Sequence, residues 1–157
     1  MIRIRKYREK DLHQTASLVS ETFRNFNFKD NPPNNSQDYA AYYDPSINLE
    51  DIRKRYQDTS LFFIAEKNRQ IVGMLRAIEN RIVNLFVHEN FHKQGIGKRL
   101  IHRYERECKK RGYQKIVLRS QIYAVPFYQA CGYNKTTGIR NKYGLIIQPM
   151  KKQLTVG

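Results

Sequence analysis

The stretch Val87-His88-Glu89-Asn90-Phe91-His92-Lys93-Gln94-Gly95-Ile96-Gly97-Lys98-Arg99-Leu100 contains the pattern that decides the fold. It starts at the end of an apolar, β-prone run, crosses a short polar loop and reaches a Gly-x-Gly pair at the start of an amphipathic segment. No conventional cap precedes that segment, so the first backbone N–H groups of the predicted helix stay uncovered at the positive end of its dipole. A strand, a bare glycine turn and a helix N-terminus together predict a phosphate-binding site.

A second motif lies downstream and predicts a short helix that ends at Gly132. It reads Ala124-Val125-Pro126-Phe127-Tyr128-Gln129-Ala130-Cys131-Gly132-Tyr133. Between the two motifs the sequence predicts one long helix over 95–111 and one strand over 115–118. A Gly-x-Gly alone is most often a plain turn, and this one lacks the further residues of a dinucleotide fingerprint or a P-loop. Either motif alone is weak evidence, but the two in this order and at this separation are specific.

The two motifs resemble those of the GCN5-related N-acetyltransferase (GNAT) family. His92 to Gly97 is similar to the family's Gln/Arg-x-x-Gly-x-Gly/Ala signature, and the downstream segment is similar to its Ala-x-x-Phe-Tyr-x-x-x-Gly-Phe/Tyr motif. The resemblance implies one domain over residues 1–157 with an α/β (α+β) fold. That fold has a mixed, mostly antiparallel sheet of six to seven strands, a splayed pair at the cofactor site and about four helices.

The resemblance also implies a function, that of a cytoplasmic N-acetyltransferase. It would use acetyl-CoA, need no metal, and acetylate a primary amine of a small molecule or of a peptide or protein. The loop and helix N-terminus would hold the pyrophosphate, and the end of the splayed strand would pair with the pantetheine arm. The implied cofactor-binding residues are Leu85, Phe86, Val87, His92, Lys93, Gln94, Gly95, Ile96, Gly97, Lys98, Arg99 and Gln121.

Some of these positions carry specific expectations. Lys93, Lys98 and Arg99 lie within a turn of the phosphate position and would add charge-assisted contacts. His92 departs from the family pattern of Arg or Gln, so a fixed charge is lost near neutral pH and weaker cofactor affinity is expected. Gln121 stands where the family often has Asn.

The resemblance makes Tyr128 the expected general acid, whose hydroxyl would serve the departing thiolate; the alternative is an ordinary half-buried aromatic. The proton acceptor is less well defined. Simple alternation puts Arg81, Val83 and Leu85 on one strand face, where none is a base, and Asn84 on the other. Glu79 is the nearest carboxylate and the candidate base, although a solvated turn residue explains it equally well.

The charge balance suggests a different kind of partner, a nucleic acid. The 157 residues include 29 Lys and Arg against 14 Asp and Glu, a formal charge of +15 that attracts polyanions. The basic residues are dispersed along the chain, and no nucleic-acid-binding motif accompanies them. Clusters occur at Arg3, Arg5, Lys6 and Arg8, at 109–111, and at Lys151 and Lys152. A nucleic-acid-associated protein therefore stands as the less favoured alternative.

The remaining pattern predicts the other elements. A strand is expected over 3–7, a helix from an Asp11 N-cap to about 23, and a helix capped by Ser46 or Asn48 that ends near 57. Strands over 61–66, 71–78 and 81–87 form a meander, and strands over 133–137 and 145–151 close the sheet. The segment 25–46 reads as a loop with a short helical piece near 38–43 and is expected to help bind the acceptor.

Three further expectations bear on class. No apolar run approaches the length of a membrane span, and Cys108 and Cys131 show no metal-ligand spacing. The absence of a base and the presence of His92 would also suit a non-catalytic acyl-CoA-binding sensor. The sequence leaves a homodimer open.

Overall fold

The computed structural model describes residues 1–26, 41–142 and 145–155. Most of the segment expected to help bind the acceptor therefore lies outside the described residues. The strands are β1 (Arg3–Lys6), β2 (Leu61–Lys67), β3 (Gln70–Ile78), β4 (Arg81–Val87), β5 (Lys115–Gln121), β6 (Asn134–Lys135), β7 (Arg140–Lys142) and β8 (Leu145–Gln153). The α-helices of the described part are α1 (Leu12–Phe26), α2 (Pro45–Gln57), α3 (Ile96–Lys110) and α4 (Val125–Ala130).

The strands form a single mixed sheet in the order β1-β2-β3-β4-β5-β8-β6, with β7 also paired to β8. All pairings are antiparallel except β4 with β5, which are parallel because α3 connects them. The predicted meander and the mixed sheet are confirmed, and the strand expected over 115–118 is present as β5. The sheet has one strand more than expected, β7, which is only three residues long and has no apolar alternation to reveal it.

The sheet buries both of its faces. Alternate residues of β2 enter two different clusters, Phe63 with α3 and α4, and Phe62 with α1 and α2. The α3 side is the larger core and includes the fully buried Leu100 and Tyr104. This alternation is the period-2 pattern of a strand covered on both sides.

The two helices before β2 begin differently from the prediction. Asp44 caps α2 by accepting a hydrogen bond from Ser46 N at 2.9 Å, and Pro45 occupies the first turn. Neither Ser46 nor Asn48 is the cap, because the Asp-Pro pair starts the helix earlier. Asp11 lies in a 3-10 turn that leads into α1, and its carboxylate accepts from the backbone N of Arg8 at 2.8 Å.

One irregularity of β4 changes which side chains face which helix layer. Arg76 is opposite Asn84, but the next residue of β3, Ala77, is opposite Ile82, so Val83 is an extra residue. This bulge brings Ile82 and Leu85 into the same core cluster. The expectation that Arg81, Val83 and Leu85 share one face was wrong for this reason. No helix in the described part is long and apolar enough to cross a membrane.

Candidate functional site

A cleft opens between β4 and β5. The two strands pair only at Arg81 with Val117 and at Ile82 with Leu118. Asn80 links the two strands at this closed end, because its carbonyl accepts from Val117 N at 3.0 Å and its Nδ2 donates to Lys115 O at 3.1 Å. Beyond Ile82 the strands separate, so the backbone of β4 that leads to Val87 has a free edge in the cleft. The splayed strand pair is thus present.

The loop after β4 is held in place at its start. His88 N donates to Val72 O at 2.8 Å, and His92 Nε2 bonds to the carbonyl of Val87 at 2.7 Å. The His92 ring therefore folds the loop back onto the end of β4. Lys93 and Gly95 follow in left-handed conformations, with φ of 62° and 77°, and carry the chain into α3.

The first turn of α3 lies open, as the sequence predicts. Gly95 is the N-cap residue and provides no side-chain hydrogen bond, while its carbonyl accepts the first helical bond from Arg99 N at 3.0 Å. A Cβ placed on Gly95 would meet nothing within 4 Å. The N–H groups of Ile96, Gly97 and Lys98 thus have no intrahelical partner, which is the arrangement that binds an anion. Ile96 itself is buried, whereas Lys98 is exposed.

The second motif packs directly against this turn. The ring of Phe127 contacts Gly97 on the side where a larger residue would carry its Cβ. Tyr128, next to Phe127 in α4, is 8 % exposed and makes edge contacts with Phe127 and Tyr133. Within the described residues no group hydrogen bonds to its hydroxyl. Burial raises the pKa of Tyr128 above its ordinary value, so the hydroxyl keeps its proton at neutral pH.

Leu85, Phe86 and Val87 all lie on the separated part of β4, and their side chains alternate. Leu85 and Val87 pack on the α3 side, whereas the Phe86 ring lies 5.5 Å from that of Phe23 in α1. Their backbone, not their side chains, is what the cleft exposes. Gln121 is half-buried at the end of β5, and Ser120 beside it donates to the Gln121 carbonyl at 2.7 Å and caps no helix.

Two predicted site residues lie elsewhere. Glu79 is in the β3–β4 turn, at the end of β4 opposite to the loop, with its own side chain exposed. The backbone N of Glu79 donates to Ser60 Oγ at 2.6 Å, and its carbonyl accepts from Tyr104 OH at 2.8 Å. Arg99 donates to the carbonyl of Ile2 at 3.1 Å and thus points toward β1. These placements do not favour Glu79 as the base or Arg99 as a cofactor-binding residue.

The structure adds a buried pair that the sequence reasoning missed. Arg76 is 4 % exposed, and its Nε donates to Asn84 Oδ1 at 2.9 Å on the α1–α2 face of the sheet. Its Nη1 reaches Arg55 O and Thr59 Oγ1 only at 3.4 Å, and no carboxylate of the described residues forms an ion pair with it. Asn84 is two residues beyond the closed end of the cleft. In the sequence, the feature that could have indicated this pair is a lone arginine inside the apolar strand β3.

Neither cysteine has the environment of a nucleophile. Burial raises the pKa of both thiols, and Cys108 is fully buried in α3. Among the described residues no three His, Cys, Asp or Glu side chains are placed to hold a metal ion.

Comparison with known proteins identifies the family. Human N-acetyltransferase 8 is 30 % identical over 115 residues, 62 % of this chain and 51 % of that protein, so the chain spans about half the length of this relative. A GCN5-related N-acetyltransferase from Rhodopseudomonas palustris shares the fold with a TM-score of 0.86 at 20 % identity, over 97 % of this chain and 95 % of that one.

The PaiA N-acetyltransferase from Thermoplasma acidophilum, solved in complex with coenzyme A, shares the fold with a TM-score of 0.75 at 21 % identity, over 98 % and 99 % of the two chains. A family model described as the acetyltransferase (GNAT) domain matches residues 30–154. The protein is therefore a member of the GNAT acetyltransferase family.

Proposed function

We propose that the protein is an acetyl-CoA-dependent N-acetyltransferase that modifies a primary amine, with Tyr128 as the general acid. The observation that carries the proposal is the packing of Phe127 on Gly97, because it puts the sequence neighbour of Tyr128 against the open first turn of α3. The structure of a similar protein in complex with coenzyme A supports the choice of ligand.

The chain has groups suited to the pyrophosphate and to the pantetheine arm of the cofactor. The uncovered N–H groups of the first turn of α3 would hold phosphate oxygens, with Lys93 and Lys98 supplying charge nearby. The free edge of β4, over Leu85 to Val87, would pair with the amide groups of the pantetheine arm. Gln121, on the facing strand, would line the other wall of the cleft. Acetyl-CoA, when bound, supplies an acetyl group activated as a thioester.

Tyr128 would act by holding a proton at its hydroxyl for the leaving group. Its raised pKa keeps it protonated, and its hydroxyl is not engaged by another described residue. A positioned acid of this kind contributes about 10²- to 10⁴-fold in rate. The unprotonated amine would be the nucleophile. Because β4 carries no carboxylate or histidine, we assign the loss of the amine's proton to water.

A second candidate function is a non-catalytic acyl-CoA sensor. One observation favours it: the first polar side chain of β4 beyond the closed end of the cleft is Asn84, whose amide cannot take a proton and is already bound to Arg76. In this alternative the cofactor half of the site would be used for binding alone.

Release of free thiol from acetyl-CoA in the presence of a panel of primary amines separates the two functions. We expect turnover in the wild type and a 10²- to 10⁴-fold lower kcat in Tyr128→Phe, with an unchanged affinity for coenzyme A. Tyr113→Phe is the matched control, since Tyr113 lies just past the far end of α3. Tight coenzyme A binding without turnover of any amine would favour the sensor.

A further inference from the structure

The fold brings basic residues that are distant in the sequence into one groove. Residues of β1, the two residues before it and residues of α3 line a recess of about 860 Å³ that includes Met1, Arg3 and Lys109. Its five fixed cations are Arg3, Arg99, Arg103, Arg106 and Lys109. The fold thus brings Arg3 beside four cations of α3, and the five lie on one surface, on the β1 side of that helix.

Few carboxylates neutralise the positive charges of this groove. The one acidic residue in its lining, Glu105, is buried and already accepts from Tyr133 OH at 3.0 Å and from Lys152 Nζ at 3.0 Å. Arg103 reaches Glu107 only at 3.9 Å. Within the described part of the chain, no carboxylate forms an ion pair with the other four cations.

The cations also form a row. Positions 99, 103, 106 and 109 are separated by four, three and three residues, which places them on one face of α3. Ten residues of helix extend about 15 Å. One strand of a nucleic acid duplex carries one phosphate per ~3.4 Å of axis but winds around that axis, so a straight row of this length faces only part of the about four phosphates along it. The row is therefore long enough to contact more than one phosphate of a strand.

We propose that this groove binds the sugar–phosphate backbone of a nucleic acid. Three of the four helix cations are arginines, whose planar forks bind phosphate oxygens in pairs. The recessed shape suits a linear polyanion better than a flat lipid surface. The lining contains no Phe, Tyr or Trp ring, and the imidazole of His102 is its one aromatic group, so binding is expected to depend little on sequence. The site is distinct from the cleft and does not depend on acetyl transfer.

The test is binding of a fluorescent 20-nucleotide RNA and of a 20-base-pair duplex, measured by anisotropy over a salt series. Arg106→Gln/Lys109→Gln removes two exposed cations of the groove that make no hydrogen bond or ion pair with the described residues. We expect the slope of log K against log salt to fall by about 1.8 for the duplex and about 1.4 for the single-stranded RNA. The affinity at 0.1 M salt should fall about 10- to 60-fold for the duplex and about 10- to 25-fold for the RNA.

The control is Lys54→Gln/Lys135→Gln, which makes the same charge change at exposed positions away from the groove. An equal loss in the control would mean that binding follows total charge, and the proposal would fail. It would also fail if the wild type bound neither nucleic acid, or bound polyglutamate or anionic vesicles as tightly. Binding of either the single strand or the duplex with the expected loss supports it. Circular dichroism checks that both variants are folded.

Discussion

The ring of Phe127 occupies the space that a side chain at Gly97 would need. A Cβ on Gly97 would lie 3.0 Å from Phe127 Cζ and 3.3 Å from Cε1, closer than ordinary van der Waals contact. Gly97 belongs to the loop motif, and Phe127 belongs to the second motif, 30 residues later in the sequence. The spacing between the motifs thus corresponds to a direct contact, and this packing favours glycine at position 97 in addition to the access to phosphate that we propose.

Gly97→Ala should therefore destabilise the protein by about 1–3 kcal/mol through overpacking. Phe127→Leu in the same chain should recover part of that loss, because the smaller side chain makes room for the new methyl group. Urea unfolding of the two single variants and the double variant measures the coupling, expected at about 0.5–3 kcal/mol. Additive effects of the two substitutions would show that the contact is not close.

Gly95 should be sensitive for another reason. Its φ is 77° and the space around it is open, so a side chain there is strained but not obstructed. Gly95→Ala should cost about 1–2 kcal/mol, and Gly95→Asn less, since Asn tolerates the left-handed region. Gly138→Ala is the control, because Gly138 has open space and no left-handed φ. Thermal unfolding gives the comparison; equal effects at positions 95 and 138 would contradict the expectation.

The sequence predicted the parts of the site that depend on local backbone chemistry. The open turn at Gly95, the meander and the helix at Ile96–Lys110 all follow from short-range pattern and are present. The bulge at Val83 was not predictable, because it depends on pairing with β3 and breaks the alternation that the sequence suggests. The sequence places Glu79 in the turn before β4, and the structure shows that this turn lies at the end of β4 opposite to the loop.

The Arg76–Asn84 pair leads to a prediction about buried hydrogen bonds. Asn84→Leu removes the shortest bond to a buried guanidinium, and should cost about 1.5–3 kcal/mol because the remaining charged donor is left unsatisfied. The double variant Arg76→Met/Asn84→Leu removes both partners and should be more stable than Asn84→Leu alone. Urea unfolding tests the order of stabilities. A double variant less stable than Asn84→Leu would show that Arg76 contributes mainly through its other contacts.

Tyr128 gives a pH prediction for the proposed reaction. Burial raises the Tyr128 pKa, so the hydroxyl remains protonated beyond the usual tyrosine value of about 10. If Tyr128 is the acid, kcat should not fall as the pH rises through 10, provided that the protein stays folded. The check is a pH profile of kcat alongside far-UV circular dichroism. A loss of kcat centred near pH 10 in folded protein would mean that a tyrosine with an ordinary pKa supplies the proton.

Asp44 provides a pH-dependent cap on α2. Its carboxylate accepts from Ser46 Oγ at 2.6 Å, from Arg24 at 2.6 Å and from Ser46 N at 2.9 Å, and these bonds lower the pKa of Asp44 to about 2. Because the folded-state pKa is lower than the unfolded value near 4, the stabilisation is full above pH ~4 and is lost as the pH falls toward 2.

Asp44→Ala should accordingly cost about 1 kcal/mol at pH 7 and progressively less below pH 4. Asp44→Asn is the matched control, because its amide oxygen can still cap the helix but does not titrate in this range. The difference in stability between Asp44→Asn and the wild type should therefore shrink over the same pH interval. The difference between Asp44→Asn and Asp44→Ala should stay nearly constant. Urea unfolding at pH 7, 4 and 3 measures all three proteins. A loss of stability in Asp44→Ala that does not change with pH would show that the charge of the carboxylate contributes nothing. A neutral hydrogen-bond acceptor at position 44 would then serve equally well.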